Sequence, residues 1–430
     1  MKSTILKHAF CVATISALTL ASGVAQSKDK LTIAVPSFLT GGAAGPFGIP
    51  AKNGAEMVAN AINAGKLPAP YNTKGFGGAS VDLIFRDEGG GATKQVAEYR
   101  NLVQKQKVDA VVGYISSGNC QALAPVVEEL KAFTIFATCG TPRIFEEASR
   151  KYLFRTMGHA TSDNTAAAMY VKENLPNMKA YTGINQNYAW GQDSWRDFDL
   201  TLKQIMKNSK ASENPQFPKI FAGQYGTEIS AMSLDKADLL HSSFWGGDLE
   251  AFIFQGAARG LFKKKKAVLT VGGTAAYRLG KKLPDGLILG ARGPYGILVK
   301  DRPSVLNQWF IKTYKDTYGM FPSGPAYQYG QAMLAAKIAF DKAGSDASDE
   351  QLAAALKGIT FESFSTTVEM KLGNGHQAVT ENGYGITKYD AVNGENVATN
   401  VKFYPASCVL PPNGINSVDW IKGGMKGAKC

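Results

Sequence analysis

Short apolar runs alternate along this chain with longer segments in which apolar residues recur three and four positions apart. Residues 31–36 (LTIAVP), 81–86 (VDLIFR), 109–113 (DAVVG) and 133–137 (FTIFA) have the length and β-branched content of buried strands. Residues 53–64, 93–105 and 121–130 between them carry one apolar helical face each. Strands separated by helices of this length predict βαβ units and a parallel sheet covered on both faces. The pattern then restarts. Residues 152–155, 179–184, 219–222 and 268–271 read as strands, and 165–173, 195–206 and 248–258 as helices. The expected fold is therefore α/β, with two similar open parallel-sheet lobes in succession. Two strong helices follow at 303–317 and 326–343. From Thr366 the tail is strand-rich, with Gly373-Asn374-Gly375 and Asn393-Gly394 as hairpin turns.

The N-terminus changes the picture. Lys2 and Lys7 precede an apolar run at 9–21, and Gly23-Val24-Ala25 is a small-x-small cleavage pattern. Residues 1–25 thus read as a signal peptide cut after Ala25, which makes the chain an exported, soluble, periplasmic protein. Cys11 lies inside the apolar run with no cleavage box before it, so a lipoprotein is not expected. Four cysteines remain, Cys120, Cys139, Cys408 and Cys430. An even number in an exported chain favours two disulfides.

Charge and motifs exclude more than they assign. The net charge of +12 is dispersed, and its densest run, residues 263–266, reads as a solvated helix-to-strand loop. No nucleic-acid partner is expected. The sequence has no CxxC pair, no His/Cys cluster, and only His159, His241 and His376 beyond the leader, so neither metal nor cofactor is expected. GxSxG, HExxH, a Walker A loop and G-x-G-x-x-G are absent; residues 273–281 mimic a phosphate loop but have the wrong spacing. The reading is of a protein that is not an enzyme. One segment looks like a ligand cradle: the strand at 109–113 runs into Tyr114-Ile115-Ser116-Ser117-Gly118-Asn119 and then a helix, whose N-terminal N–H groups favour an anion such as a carboxylate. Ser116 or Ser117 capping that helix is the alternative.

At these residues the chain resembles the periplasmic solute-binding proteins of branched-chain amino acid type ABC transporters, the leucine/isoleucine/valine-binding family with the type I periplasmic binding fold. The likeness runs from about Lys30 to Asp390. It is carried by the opening from Ile33 to Ala64, VDAVVGYISSGNCQALAPVVEE (108–129), YLFRT (152–156), NYAWGQDS (187–194), FWGGDLEAFIFQ (244–255) and GNGHQAV (373–379), in family order. The resemblance implies two lobes joined by three crossing segments, with the ligand in the cleft. Lobe 1 would span 29–148 and 292–366, and lobe 2 149–291 and 367–430. It implies ligand contacts from Phe47, Ser116, Ser117, Thr138, Cys139, Tyr188, Trp190 and Trp245. Two positions depart from the family: Gly140 stands where a threonine is expected, and Gly272 where a carboxylate would pair with an amino acid's ammonium. An ammonium buried there without a partner would cost several kcal/mol, on the order of the penalty for an orphaned buried charge. An aromatic or aliphatic carboxylate is then a better candidate than a plain amino acid.

Cys120 and Cys139 fall at the same edge of neighbouring parallel strands, which predicts a disulfide between them, with Cys408–Cys430 paired by elimination. The expected function is the substrate-binding component of an ABC importer: a monomer whose partners are a small-molecule ligand and a membrane permease. A ligand-sensing subunit for a membrane receptor is the alternative, and an α/β hydrolase-like enzyme a weaker one.

Overall fold

A computed structural model describes residues 27–430. The expected signal peptide lies outside the described residues. The chain opens with β1 (Lys30–Ser37), β2 (Ser80–Asp87), β3 (Ala110–Gly113), β4 (Thr134–Phe136) and β5 (Leu153–Arg155), joined by helices and all parallel. Then come β6 (Ala180–Ile184), β7 (Lys210–Ala211), β8 (Leu239–Ser242), β9 (Lys266–Leu269) and β10 (Ile288–Gly290), again parallel. The chain returns through β11 (Thr360–Glu362), β12 (Thr367–Leu372) and β13 (Gln377–Val379), then ends with β14 (Asn382–Asp390) and β15 (Glu395–Tyr404).

These strands make two sheets, ordered β11-β12-β13-β5-β4-β3-β1-β2 and β15-β14-β10-β9-β8-β6-β7. The β3 run Ala110–Gly113 is buried at every position, as expected of a strand covered by helices on both faces. The helix Ile49–Ala64 packs along Gly324–Ala343, and Gly54 permits the approach: a Cβ there would lie 2.1 Å from the carbonyl oxygen of Ala326. Among the described residues no helix is long and apolar enough to cross a membrane.

Sheet membership moves the lobe boundaries. β5, β12 and β13 belong to the first sheet, because β12 folds back antiparallel on β11 and β13 continues beside β5. The chain therefore crosses between lobes near 156–159, 291–295 and 380–381, later than residues 149 and 367. Residues 219–222 form no strand. Phe221 adopts a φ of 60°, and its N–H donates to Asp248 Oδ2 at 2.7 Å, so the edge of the second sheet falls to β7. Lys265 is not solvated either: it is buried, and its Nζ donates to the carbonyl oxygens of Asp235 and Ala237 at 2.7 and 2.6 Å. Both expected disulfides are closed. Cys408–Cys430 holds a tail in which Trp420, Ile421 and Met425 pack against the helix Ala189–Ile205.

Candidate ligand-binding cleft

Two loops at the carboxyl edge of the first sheet face the second lobe. The first follows β3, where Tyr114, at a φ of 67°, turns the chain into the helix Ser117–Leu130. Helix-start N–H groups attract an anion or another strong acceptor, and here the protein provides a carboxyl group of its own. Glu88 is fully buried; its Oε2 accepts from the Ile115 N–H at 2.7 Å, and its Oε1 from the Ser116 N–H at 2.7 Å and the Asn119 amide at 3.0 Å. Burial pushes this carboxyl up to about 8, against the hydrogen bonds, which favour its ionised form.

The second loop follows β4. Ser117 Oγ accepts from the N–H groups of Gly140 and Thr141 at 3.0 and 3.2 Å. Arg155 Nη1 donates to the carbonyl oxygens of Cys139 and Thr141 at 2.8 and 2.7 Å, and Arg292 Nη1 donates to that of Thr138. Thr138 Oγ1 bonds to the Tyr114 carbonyl at 3.4 Å, and Cys139 is tied to Cys120. A buried loop must satisfy every backbone polar group, and these side chains do so. Ser116, Ser117, Thr138 and Cys139, expected against a ligand, do not line the cleft void; they hold its first-lobe wall together.

The void lies beside them. Phe47 and Ile115 from the first lobe, Tyr188, Trp190, Trp245 and Val271 from the second, and Arg292 from a crossing segment line a narrow void of about 10 Å³. Four of the expected residues, Phe47, Tyr188, Trp190 and Trp245, thus meet at one place. Phe47 and Trp245 contact edge to face with centroids 5.3 Å apart, and Trp245 Nε1 donates to Tyr188 Oη at 2.7 Å. Trp190 Nε1 donates to the Ser243 carbonyl at 2.8 Å, which fixes the indole plane. The indole rests on Gly140, where a Cβ would lie 2.3 Å from the ring. This contact explains why glycine replaces the expected threonine. Gly272 is equally constrained: a Cβ would lie 2.8 Å from Leu289 Cβ and 3.0 Å from Leu269 Cβ. No carboxylate side chain fits at that position without shifting both strands.

Arg292 also lines the void, and the sequence reading did not single it out. Its guanidinium carbon sits 4.2 Å from the centroid of the Trp190 ring, and its Nε lies 3.4 Å from Asp163 Oδ2. Burial raises the Asp163 carboxyl and the Arg292 charge pulls it back. Arg292 Nη2 is buried with no hydrogen-bond partner, and the residue is held at a φ of 58°. An unpaired buried donor and a left-handed non-glycine residue each cost of order 1–3 kcal/mol. A ligand acceptor in the void would remove the first cost. The only signal in the sequence is one arginine between Ala291 and Gly293, just past β10, and nothing in its spacing separates it from other arginines. The lining contains no carboxylate, imidazole or thiol. Among the described residues no group of His, Cys, Asp and Glu is arranged to hold a metal ion.

The sequence model of the periplasmic binding proteins matches residues 30–392. The chain belongs to the periplasmic binding protein family. Solved structures share the fold of this binding protein. One is an ABC transporter solute-binding protein from R. palustris in complex with benzoate, with a TM-score of 0.72 and 20% identity, covering 86% of this chain and 95% of its own. Another, from Rhodopseudomonas palustris BisB5 in complex with 3,4-dihydroxybenzoic acid, gives 0.74 and 20%, covering 88% and 98%. A leucine-binding protein from Thermotoga maritima gives 0.69 and 19%, covering 86% and 98%. No curated protein sequence matches the chain significantly.

Proposed function

We propose that this binding protein is the solute-binding component of an ABC importer, and that its ligand is a compact aromatic carboxylate held in the void between the lobes. The observation that carries the ligand class is the unpaired, buried Nη2 of Arg292 beside four aromatic side chains, in a lining with no acidic group. A carboxylate meets the guanidinium through charge-assisted hydrogen bonds, and an aromatic ring meets Trp190, Trp245 and Phe47. An α-amino acid would bring an ammonium that nothing in the lining pairs. With the lobes closed the void has room for little more than a water molecule, about 10 Å³, so a ligand enters as the lobes part. The solved relatives that hold benzoate and dihydroxybenzoate support the same class.

On this reading the protein is exported to the periplasm, acts as a monomer, hands its ligand to a membrane permease and leaves it chemically unchanged. A thermal-shift screen with benzoate, 4-hydroxybenzoate and leucine tests the ligand class. Ligand at 100 times its dissociation constant stabilises the native state by about 2.7 kcal/mol. The benzoates should raise the melting temperature and leucine should not; a shift with leucine alone would overturn the proposal. Benzoate recovered intact after long incubation is the expected result for binding without turnover.

A further inference from the structure

A second set of contacts joins the lobes outside the void. The helix Ala189–Ile205 carries Trp190 into the void, and one turn later it presents Asp193, which is fully buried. Asp193 Oδ2 accepts from Thr141 Oγ1 at 2.6 Å, and its Oδ1 accepts from Arg143 at 2.7 and 3.1 Å. Thr141 and Arg143 follow β4 in the first lobe; Asp193 belongs to the second. Arg196, on Asp193's own helix, also donates to Oδ1 at 2.8 Å.

We propose that Asp193, engaging Thr141 and Arg143, is a latch that holds the lobes closed and so sets ligand affinity and release without touching the ligand. The proposal rests on reading the void as the ligand site. The receiving loop is already rigid: the Cys120–Cys139 disulfide, Ser117 Oγ and Arg155 fix its backbone. Closure therefore orders little that was mobile, and the contact is preorganised. Trp190 docks on Gly140 of the same loop, so shutting the void and engaging Asp193 are one movement. Opening does not orphan the carboxylate, because Arg196 remains bonded to it. The two states thus stay close in free energy, which is the condition for a ligand to shift the population. At the far rim Gly247 packs against the carbonyl of Gly42, and the Arg278 guanidinium, paired with Glu250 of its own lobe, lies against Gly45. The latch is an ion pair that crosses between the lobes, and Arg143, about a third exposed, makes it sensitive to salt.

The test uses the mature chain with spin labels at Lys94→Cys and Lys263→Cys, both exposed and in different lobes. Inter-lobe distances are measured without ligand in the parent, Asp193→Asn and Arg143→Ala, and benzoate binding kinetics are measured on the same proteins. Expected is a closed-distance population that falls severalfold in both variants, and benzoate dissociation faster by about tenfold or more, the equivalent of one lost charge-assisted hydrogen bond. Association should stay within about threefold, since affinity changes within one interface reside mostly in release. The double variant should lose no more than the more severe single one. Unchanged distances and release in both variants, with normal melting curves, would overturn the latch. If the parent ignores benzoate, the ligand class is wrong, and the distance distributions still decide the latch.

Discussion

The two walls of the cleft solve opposite problems. On the first lobe, the turn at Ile115–Ser117 and the loop at Thr138–Thr141 carry many hydroxyls and backbone donors, and most find partners within the protein: Glu88, Ser117, Arg155 and Arg292 take them up. On the other side, Tyr188, Trp190 and Trp245 present flat apolar surface, and Arg292 from the crossing segment adds one donor without a partner. The difference shows that hydrogen-bonding capacity near a cleft is not recognition. A donor recognises a ligand only if folding has left it unused, and here that donor is Arg292 Nη2. The polar wall is scaffolding that holds the loop on which Trp190 and Asp193 close.

Four changes would break or sharpen this contrast. Arg292→Gln should have the largest effect. It removes the charge facing the ligand and leaves Asp163 without its cation, so benzoate affinity should fall at least a hundredfold by calorimetry, with some loss of melting temperature. Trp190→Ala comes next. It deletes the ring under Arg292 and opens a gap over Gly140, and should weaken benzoate binding by about ten- to a hundredfold.

The third change reads stability against pH. Glu88 binds its proton up to about pH 8 in the folded protein and to about 4.5 when unfolded. Between those values the native state holds more protons, so stability falls as pH rises. Buried His241 and His376, depressed to about 3 and 4, act in the opposite sense, but only below the usual histidine value of 6.5. From pH 6.5 to 8 the Glu88 effect should dominate and lower stability by on the order of 2 kcal/mol. Denaturant melts of the parent should show this slope, and Glu88→Gln should flatten it. The smallest effect on binding belongs to the polar wall. Ser117→Ala removes the acceptor for two backbone N–H groups and should cost about 1–3 kcal/mol of stability. Benzoate affinity should change by less than about threefold; a tenfold loss with normal melting would return Ser117 to the ligand.

The same contrast explains what the sequence disclosed. The α/β alternation and both sheets were legible because buried parallel strands such as Ala110–Gly113 are uninterrupted apolar runs. The aromatic positions Phe47, Tyr188, Trp190 and Trp245 followed from their place in family-ordered motifs. The lobe boundaries slipped because β5, β12 and β13 are short, and their sheet depends on long-range pairing that no local pattern encodes. β8 was missed, since Leu239–Ser242 is four residues long and half polar. Ser116 and Ser117 looked like ligand contacts because a one-dimensional reading counts polar groups near a helix start but does not see that Glu88, 28 residues before Ser116, takes up its N–H and that Gly140 and Thr141 donate to Ser117. Arg292 was invisible for the converse reason: its importance comes from an unmet hydrogen bond and a ring stacked on it, both products of folding.

The central claim is that an unpaired guanidinium under an aromatic roof selects a carboxylate. The direct measurement is a pair of calorimetric titrations with benzoate and with benzamide, which share a ring and differ in charge. Benzoate should bind the parent protein and lose that binding in Arg292→Gln, while benzamide should bind neither. Benzamide binding the parent as tightly as benzoate, or benzoate binding Arg292→Gln undiminished, would contradict the account.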